Sequence, residues 1–199
     1  KLYSKNRSEN IKKLKNKFFK LNFKIRSTKK ERDITEFFNI YSRQCYNYFK
    51  SPFHKFKFVK NLSQSKIASL YILEDNDQIL SGIIIIKDLF EKKIYYYLGA
   101  RIPENKNSSI SIILNYVVEK YYQKGFKFFH LGVCDPKDIN LINYKKSFGA
   151  KEFKVFKMNS YKSNTSFISE NIPYKFFILI IPYKIAKLII NKFGHYFLK

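Results

Sequence analysis

Apolar residues along the chain follow two spacings, one typical of amphipathic helices and one typical of strands. Apolar positions three or four residues apart predict helices, which are 1–20, 34–49, 51–61, 108–123 and 141–148. Apolar or alternating runs bounded by turn residues predict strands at 21–26, 66–73, 78–87, 94–100, 127–131 and 151–158. Antiparallel strands therefore lead into a strand–helix–strand crossover. This order predicts a mixed α/β fold with a central mixed sheet flanked by helices.

Glycines mark the ends of several of these segments. Gly125 follows the fourth helix, where a helix C′ position favours glycine. The strand 127–131 breaks at Gly132, and a polar loop and a short helix follow before Gly149. Backbone amides are free where a strand ends in such a loop. We therefore expect a ligand crevice at the carboxyl end of this strand.

The composition divides the chain into three parts. We predict a folded domain over 1–158, a Ser/Asn-rich linker over 159–171 and an apolar, Lys-containing tail over 172–199. The uninterrupted apolar run Phe176–Pro182 is far shorter than the ~20 residues of a membrane span. An amphipathic helix lying on an anionic membrane surface is the favoured interpretation of the tail. A partner-binding or intramolecular helix and a true span are the alternatives.

The net charge is +24, which favours anionic partners such as phosphates, nucleotides, RNA or acidic lipid. Two observations temper this interpretation. Lys, Asn, Ile, Phe and Tyr have A/T-rich codons, so genome composition and an ordinary solvated surface account for much of an excess of lysine. The five arginines are too few for bidentate base or phosphate recognition to be a main activity.

The two cysteines, Cys45 and Cys134, and the three histidines have no metal-ligand spacing, so we expect no metal. Neither cysteine has triad-like partner residues, so we interpret neither as a catalytic nucleophile. A reduced, cytoplasmic setting is the simpler expectation. The first residue is Lys1 rather than Met, which leaves room for a preceding domain.

Four segments in order resemble the Gcn5-related N-acetyltransferases (GNAT), and within them the FemAB-like branch of peptidyltransferases and related N-acyltransferases of cell-envelope pathways. The resemblance covers about 1–158. Lys145 falls on the Lys, and Tyr144 on the first Phe, of that branch's pattern Phe-Lys-any-any-Phe-Gly. The four segments are the N-terminal helix with Arg7 and Ile11–Lys13, the strand Tyr95–Ala100, the stretch Gly125–Gly132, and Tyr144–Gly149.

The resemblance implies an N-acyltransferase that carries an acyl group from acyl-coenzyme A (acyl-CoA) to an amino group on a cell-envelope sugar or lipid-linked precursor. Arg101–Lys106 lacks the glycines of the usual CoA pyrophosphate loop, so aminoacyl-tRNA stays an alternative donor. A non-catalytic basic membrane-binding or RNA-binding module is the alternative outside the enzymes. The expected location is cytoplasmic and peripheral on the inner face of the cell membrane, with a possible second transferase domain before Lys1.

The resemblance also implies the site residues. In this fold two neighbouring strands part and expose backbone amides to the acyl donor; here they are 94–100 and 127–131. The candidate catalytic residues are Lys145, Tyr144 and His130. The candidate donor-binding residues are Tyr97, Gly99, Arg101, Lys106, Asn107 and Ser108. The candidate acceptor-binding residues are Asp135, Asp138 and Arg7. Each has an ordinary alternative: a solvated lysine, packing for Tyr144, a core histidine, and helix caps at Asp138 and Ser108.

Overall fold

The computed structural model describes residues 23–49, 54–104 and 110–153, together with the isolated helical positions Glu9, Lys13 and Asn16. The linker predicted at 159–171 and the tail predicted at 172–199 lie outside the described residues. So does most of the helix predicted at 1–20.

Five strands and four helices occupy the described ranges. In chain order they are β1 (Lys24–Thr28), α1 (Glu31–Phe49), α2 (Phe56–Gln64), β2 (Ala68–Asp75), β3 (Gln78–Asp88), β4 (Lys93–Arg101), α3 (Ile110–Gln123), β5 (Phe128–His130) and α4 (Ile139–Ser147).

The strands form one sheet in the order β1-β2-β3-β4-β5. Neighbouring strands from β1 to β4 are antiparallel, whereas β4 and β5 are parallel and are connected through α3. The prediction of a mixed sheet flanked by helices is therefore confirmed. The β2–β3 hairpin turns at Asn76 and Asp77, which both have positive φ. Two such residues in succession suit the tight turn that connects antiparallel strands.

Both faces of the sheet are covered, which explains the long apolar run in β3. Ile84 packs with α1 and α2 on one face, whereas Ile83 and Ile85 pack with α3 on the other. Gly82 faces α1, where a Cβ would lie 2.7 Å from Cδ2 of Phe37. Glycine at this position therefore allows the close approach of α1 to the sheet.

An ionic network connects β1, β2 and the first turn of α1. Arg26 Nη1 donates to Asp33 Oδ2 at 2.7 Å, and Arg26 Nε donates to Glu74 Oε2 at 2.9 Å. The hydroxyl of Thr28 also donates to Asp33. Both carboxylates are buried. One guanidinium thus pairs with both carboxylates and joins three elements.

Most element boundaries differ from the sequence prediction, commonly by one to three residues. The first strand begins at Lys24 and ends at Thr28, two residues beyond the predicted end, while residues 21 and 22 of the prediction lie outside the described residues. The second helix begins at Phe56, after Lys55 with its extended backbone angles, and residues 51–53 of that prediction also lie outside the described residues. Residues 151–153 of the strand predicted at 151–158 are not in a strand, and the remainder lies outside the described residues.

Candidate active site

The pairing between β4 and β5 is short and ends in an opening. It comprises three residue pairs, from Lys93↔Phe128 to Tyr95↔His130. Beyond them β4 continues to Arg101, while the chain after β5 turns at Gly132, which has a φ of +74°. We call this opening the slot; 96–101 of β4 form one wall and the loop 131–138 forms the other.

A bulge in β4 lies where the slot begins. Ile84 of β3 pairs with Leu98, and Ile85 pairs with Tyr96, so Tyr97 has no partner on β3. An extra residue of this kind bends a strand and increases its twist. The bulge therefore turns the second half of β4 away from the direction that pairing with β5 would require.

The backbone of β4 presents an amide to the slot. The amide of Ile102 donates to Leu80 O of β3 at 2.9 Å. Because amides alternate in direction along an antiparallel strand, those of Gly99 and Arg101 face away from β3. The Arg101 amide indeed donates to the Gln44 side chain of α1, at 2.9 Å. The Gly99 amide is the next one along this edge and faces the slot.

Tyr96 folds back over Gly99. A Cβ on Gly99 would overlap the Tyr96 hydroxyl oxygen and lie 2.9 Å from Cζ of that ring. Burial raises the pKa of Tyr96, and the neighbouring Tyr144 raises it further. Tyr96 is therefore a protonated phenol at neutral pH and can donate a hydrogen bond.

Tyr144 lies on α4 and is fixed from two sides. Its hydroxyl is 3.1 Å from Ser111 Oγ of α3, and its ring packs edge-on against Phe148 at 5.2 Å. The arrangement serves packing, and it holds the Tyr144 hydroxyl against α3, the helix that covers the face of the sheet on which Tyr96 packs.

Lys145 binds the opposite wall. Its Nζ donates to Gly132 O at 2.8 Å and to Val133 O at 3.0 Å. An ammonium group has three N–H donors, so one remains for a ligand. These contacts give Lys145 a role that the sequence did not indicate, which is to hold the loop that leaves β5.

We expect Lys145→Ala to displace this loop and to lower kcat/KM about tenfold to 100-fold, the equivalent of about 1.5–3 kcal/mol for hydrogen bonds to a charged group. Steady-state kinetics are measured together with the NMR chemical shift of the Gly132 amide in the ligand-free protein. If Lys145 positions the loop, the variant changes that chemical shift. If Lys145 acts only in the chemistry, the chemical shift stays as in the wild type. Lys146→Ala is the matched control, because Lys146 is exposed and pairs with Glu152.

The remaining candidates on the loop side of the slot are exposed. His130 stacks on Tyr95, with 4.7 Å between ring centroids. Asp135 Oδ1 accepts from the Lys137 amide at 2.8 Å, and Asp138 caps α4 by accepting from the Leu141 amide at 3.0 Å. Each carboxylate thus uses one oxygen in local structure and has a second oxygen for other partners.

Other candidates lie outside the described residues, so their roles stay predictions: Arg7, Lys106, Asn107 and Ser108. Within the described ranges no group of three or more His, Cys, Asp or Glu side chains is arranged to hold a metal ion. None of the helices in these ranges is both long and apolar enough to cross a bilayer.

Residues 5–154 match the family model described as an acetyltransferase (GNAT) domain. The chain therefore belongs to the GNAT acetyltransferase family, whose members are enzymes that use acyl-CoA. No curated protein matches the chain at a significant level.

Solved structures of acetyltransferases share the fold. A possible acetyltransferase from Clostridium difficile 630 has a TM-score of 0.55 and 14% identity, with 71% of this chain and 97% of that chain covered. An aminoglycoside acetyltransferase from an uncultured soil metagenomic sample, in complex with sisomicin, has a TM-score of 0.55 and 13% identity, with 73% of this chain and 99% of that chain covered. An aminoglycoside N-acetyltransferase in complex with CoA has a TM-score of 0.53 and 10% identity, with 71% of this chain and 95% of that chain covered.

Three side chains at the site were not predicted as site residues: Tyr96, Ser111 and Gln44. Tyr96 and Gly99 are three residues apart in a strand, a spacing that regular alternation places on opposite faces. Only the bulge at Tyr97 brings them together. Ser111 and Gln44 lie on helices as ordinary polar residues, and no sequence signal distinguishes them.

Proposed function

We propose that the protein is a FemAB-like N-acyltransferase that transfers an acyl group from acyl-CoA to an amino group on a cell-envelope sugar or its lipid-linked precursor. The family supports an acyl-CoA-dependent enzyme. The observation that carries the proposal is the slot, where β4 continues past its pairing with β5 and directs the Gly99 amide outward.

The slot fits an acyl donor on its own chemistry. A strand edge with a free amide can bind an extended amide-containing chain, as an added strand would. The absence of a side chain at Gly99 makes room for the Tyr96 hydroxyl against the Gly99 backbone. When bound, acyl-CoA supplies a thioester carbonyl that an amine can attack. Gly99 N–H and the Tyr96 hydroxyl would then be donors for its oxygen.

The transfer requires a neutral amine and a proton for the departing thiolate. The amine nitrogen bonds to the carbonyl carbon while the carbon–sulfur bond breaks. Tyr144, held by Ser111, is our candidate proton donor. His130 is exposed on the loop side of the slot, and we assign it the role of accepting the amine proton. Lys145 keeps the wall in place through Gly132 and Val133.

The choice of an amino sugar rests on the FemAB-like motif around Lys145. The neighbours that act on aminoglycosides, one of them in complex with sisomicin, are consistent with that class of acceptor. The runner-up donor is aminoacyl-tRNA, because 101–106 lacks the glycines of a CoA pyrophosphate loop and the net charge is +24. A basic membrane-binding or RNA-binding module without catalysis is the third candidate.

Calorimetry with acetyl-CoA and with aminoacyl-tRNA separates these candidates. We expect saturable binding of acetyl-CoA. We also expect acetyl transfer to D-glucosamine, which is measured through the free thiol that the transfer releases. Binding of aminoacyl-tRNA together with aminoacyl transfer would favour the peptidyltransferase. Steeply salt-dependent RNA binding without turnover would instead favour the non-catalytic module.

We further propose that residues 172–199 bring a transferase domain over 1–158 to the inner face of the cell membrane, through the linker 159–171. The support is the sequence alone, in which apolar residues alternate with lysines. Deleting 172–199 should abolish cosedimentation with vesicles that contain anionic lipid. Unchanged cosedimentation would rule out this role of the tail.

A further inference from the structure

Three aromatic rings meet on the α2 side of the slot. The His54 ring centroid lies 4.9 Å from that of Phe58 and 5.5 Å from that of Tyr97. Phe58 and Tyr97 are 6.2 Å apart. The His54 ring is stacked against both neighbours, with interplanar angles of 28° to Phe58 and 23° to Tyr97, and the three centroids form a triangle. We call these three side chains the aromatic surface.

The aromatic surface is accessible and lies at the beginning of the slot. Phe58 is 45% exposed and Tyr97 is 37% exposed. Tyr97 is the bulge residue of β4, two positions before Gly99. Buried Tyr41 stacks against His54 from α1, at 6.4 Å. The rings thus have a packed side toward the core and an open side toward solvent.

The aromatic surface is also uncharged. Burial lowers the pKa of His54, so its imidazole is neutral at pH 7. Within the described ranges no carboxylate forms an ion pair with His54, and Glu104 just beyond β4 is paired with Arg43 at 2.8 Å. The aromatic surface itself has no carboxylate that could balance the charges of a polycationic acceptor, and the carboxylates of Asp135 and Asp138 are on the loop side of the slot. An uncharged aromatic surface fits a ring with an apolar face.

We infer that the aromatic surface is the acceptor subsite and that it binds the apolar C–H face of a pyranose ring whose amino group points to the slot. Aromatic faces carry partial negative charge and attract such C–H groups while also burying apolar area. The ligand class is therefore a monoamino sugar, not an aliphatic polyamine. This inference rests on the proposed function, which does not itself identify the residues that hold the acceptor.

Saturation-transfer NMR with D-glucosamine and with putrescine tests the inference without requiring turnover. We expect transfer from the wild-type protein to glucosamine only. Phe58→Ala should weaken glucosamine binding about tenfold, and Phe58→Tyr should restore it. Phe90→Ala is the matched control, because Phe90 is 92% exposed on the turn at the far end of β4 from the slot. It should bind like the wild type.

In kinetics, Phe58→Ala should raise KM for glucosamine about tenfold and change kcat less than about twofold, since in this proposal the Phe58 ring contacts the acceptor sugar and not the acyl donor. Equal binding of glucosamine by wild type and Phe58→Ala would overturn the subsite, as would equal binding of putrescine and glucosamine. Phe58-dependent binding of glucosamine in a protein that does not bind acetyl-CoA would overturn the proposed function alone.

Discussion

We expect Gly99→Ala to lower kcat/KM for acyl transfer about 100-fold, the loss that a displacement of about 1 Å at a reacting site can produce. The new Cβ would overlap the Tyr96 hydroxyl and lie within 2.9 Å of its Cζ. Because the Tyr96 ring is itself packed against the core on the α3 side, it has to move toward the slot. Steady-state kinetics with acetyl-CoA and glucosamine measure the loss.

Combining Tyr96→Phe with Gly99→Ala in one double variant tests whether the overlap with Tyr96 causes the loss. Removing the hydroxyl removes the overlapping atom, so the double variant should be less impaired than the two single losses combined predict. Gly125→Ala is the control, because a Cβ there meets nothing within 4 Å but φ is +79°. It should cost stability and leave kcat/KM unchanged. Full activity of Gly99→Ala would mean that the Tyr96 wall is not part of the site.

We expect Arg26→Ala to lower the free energy of unfolding by about 2–3 kcal/mol, less than the roughly 3–5 kcal/mol of a fully buried pair, because the Arg26 side chain is 38% exposed. The variant leaves the buried carboxylates of Asp33 and Glu74 without their cation. Urea unfolding at pH 7 measures the difference. Arg43→Ala is the control, since its pair with Glu104 is exposed on both sides and should contribute less than about 1 kcal/mol.

The same network predicts a dependence on pH. The hydrogen bond from Arg26 holds the pKa of Asp33 below its usual value. The unfolded chain therefore takes up the proton first, near the ordinary Asp pKa of about 3.9. This stabilisation is present above that pH and is lost as the pH falls through the lower folded pKa. Arg26→Ala should lose less stability than the wild type over this range. Equal losses of stability in the wild type and in Arg26→Ala would contradict the assignment of this pH dependence to the Arg26–Asp33 pair.

The hydrophobic pattern was sufficient for the sheet and its helices. Ile83, Ile84 and Ile85 are buried on alternating faces, and a continuous apolar run is the sequence signal of such a strand. Boundaries were less predictable where pairing over long range fixes them. The end of β1 at Thr28 follows its pairing with β2, where Thr28 lies opposite Leu70, far away in the chain.

A local motif singled out Lys145 as a candidate site residue, and that role stays a prediction. Its bonds to Gly132 and Val133 were not predictable, because they depend on the path of the loop. The bulge at Tyr97 has no local signal, because one extra residue in a strand of tyrosines leaves the pattern apolar. His54 and Phe58 read as parts of an ordinary helix start, and only the tertiary fold brings them to Tyr97.

The central claim is that the Gly99 edge of β4 binds the acyl donor, and labelling with ¹⁵N-glycine tests it directly. The chain has six glycines, so its amide spectrum is simple enough to assign by substitution. Titration with acetyl-CoA should shift the Gly99 and Gly132 signals saturably and leave Gly82, which lies against Phe37 in the core, in place. A Gly99 signal that stays unmoved at saturating acetyl-CoA would contradict the account.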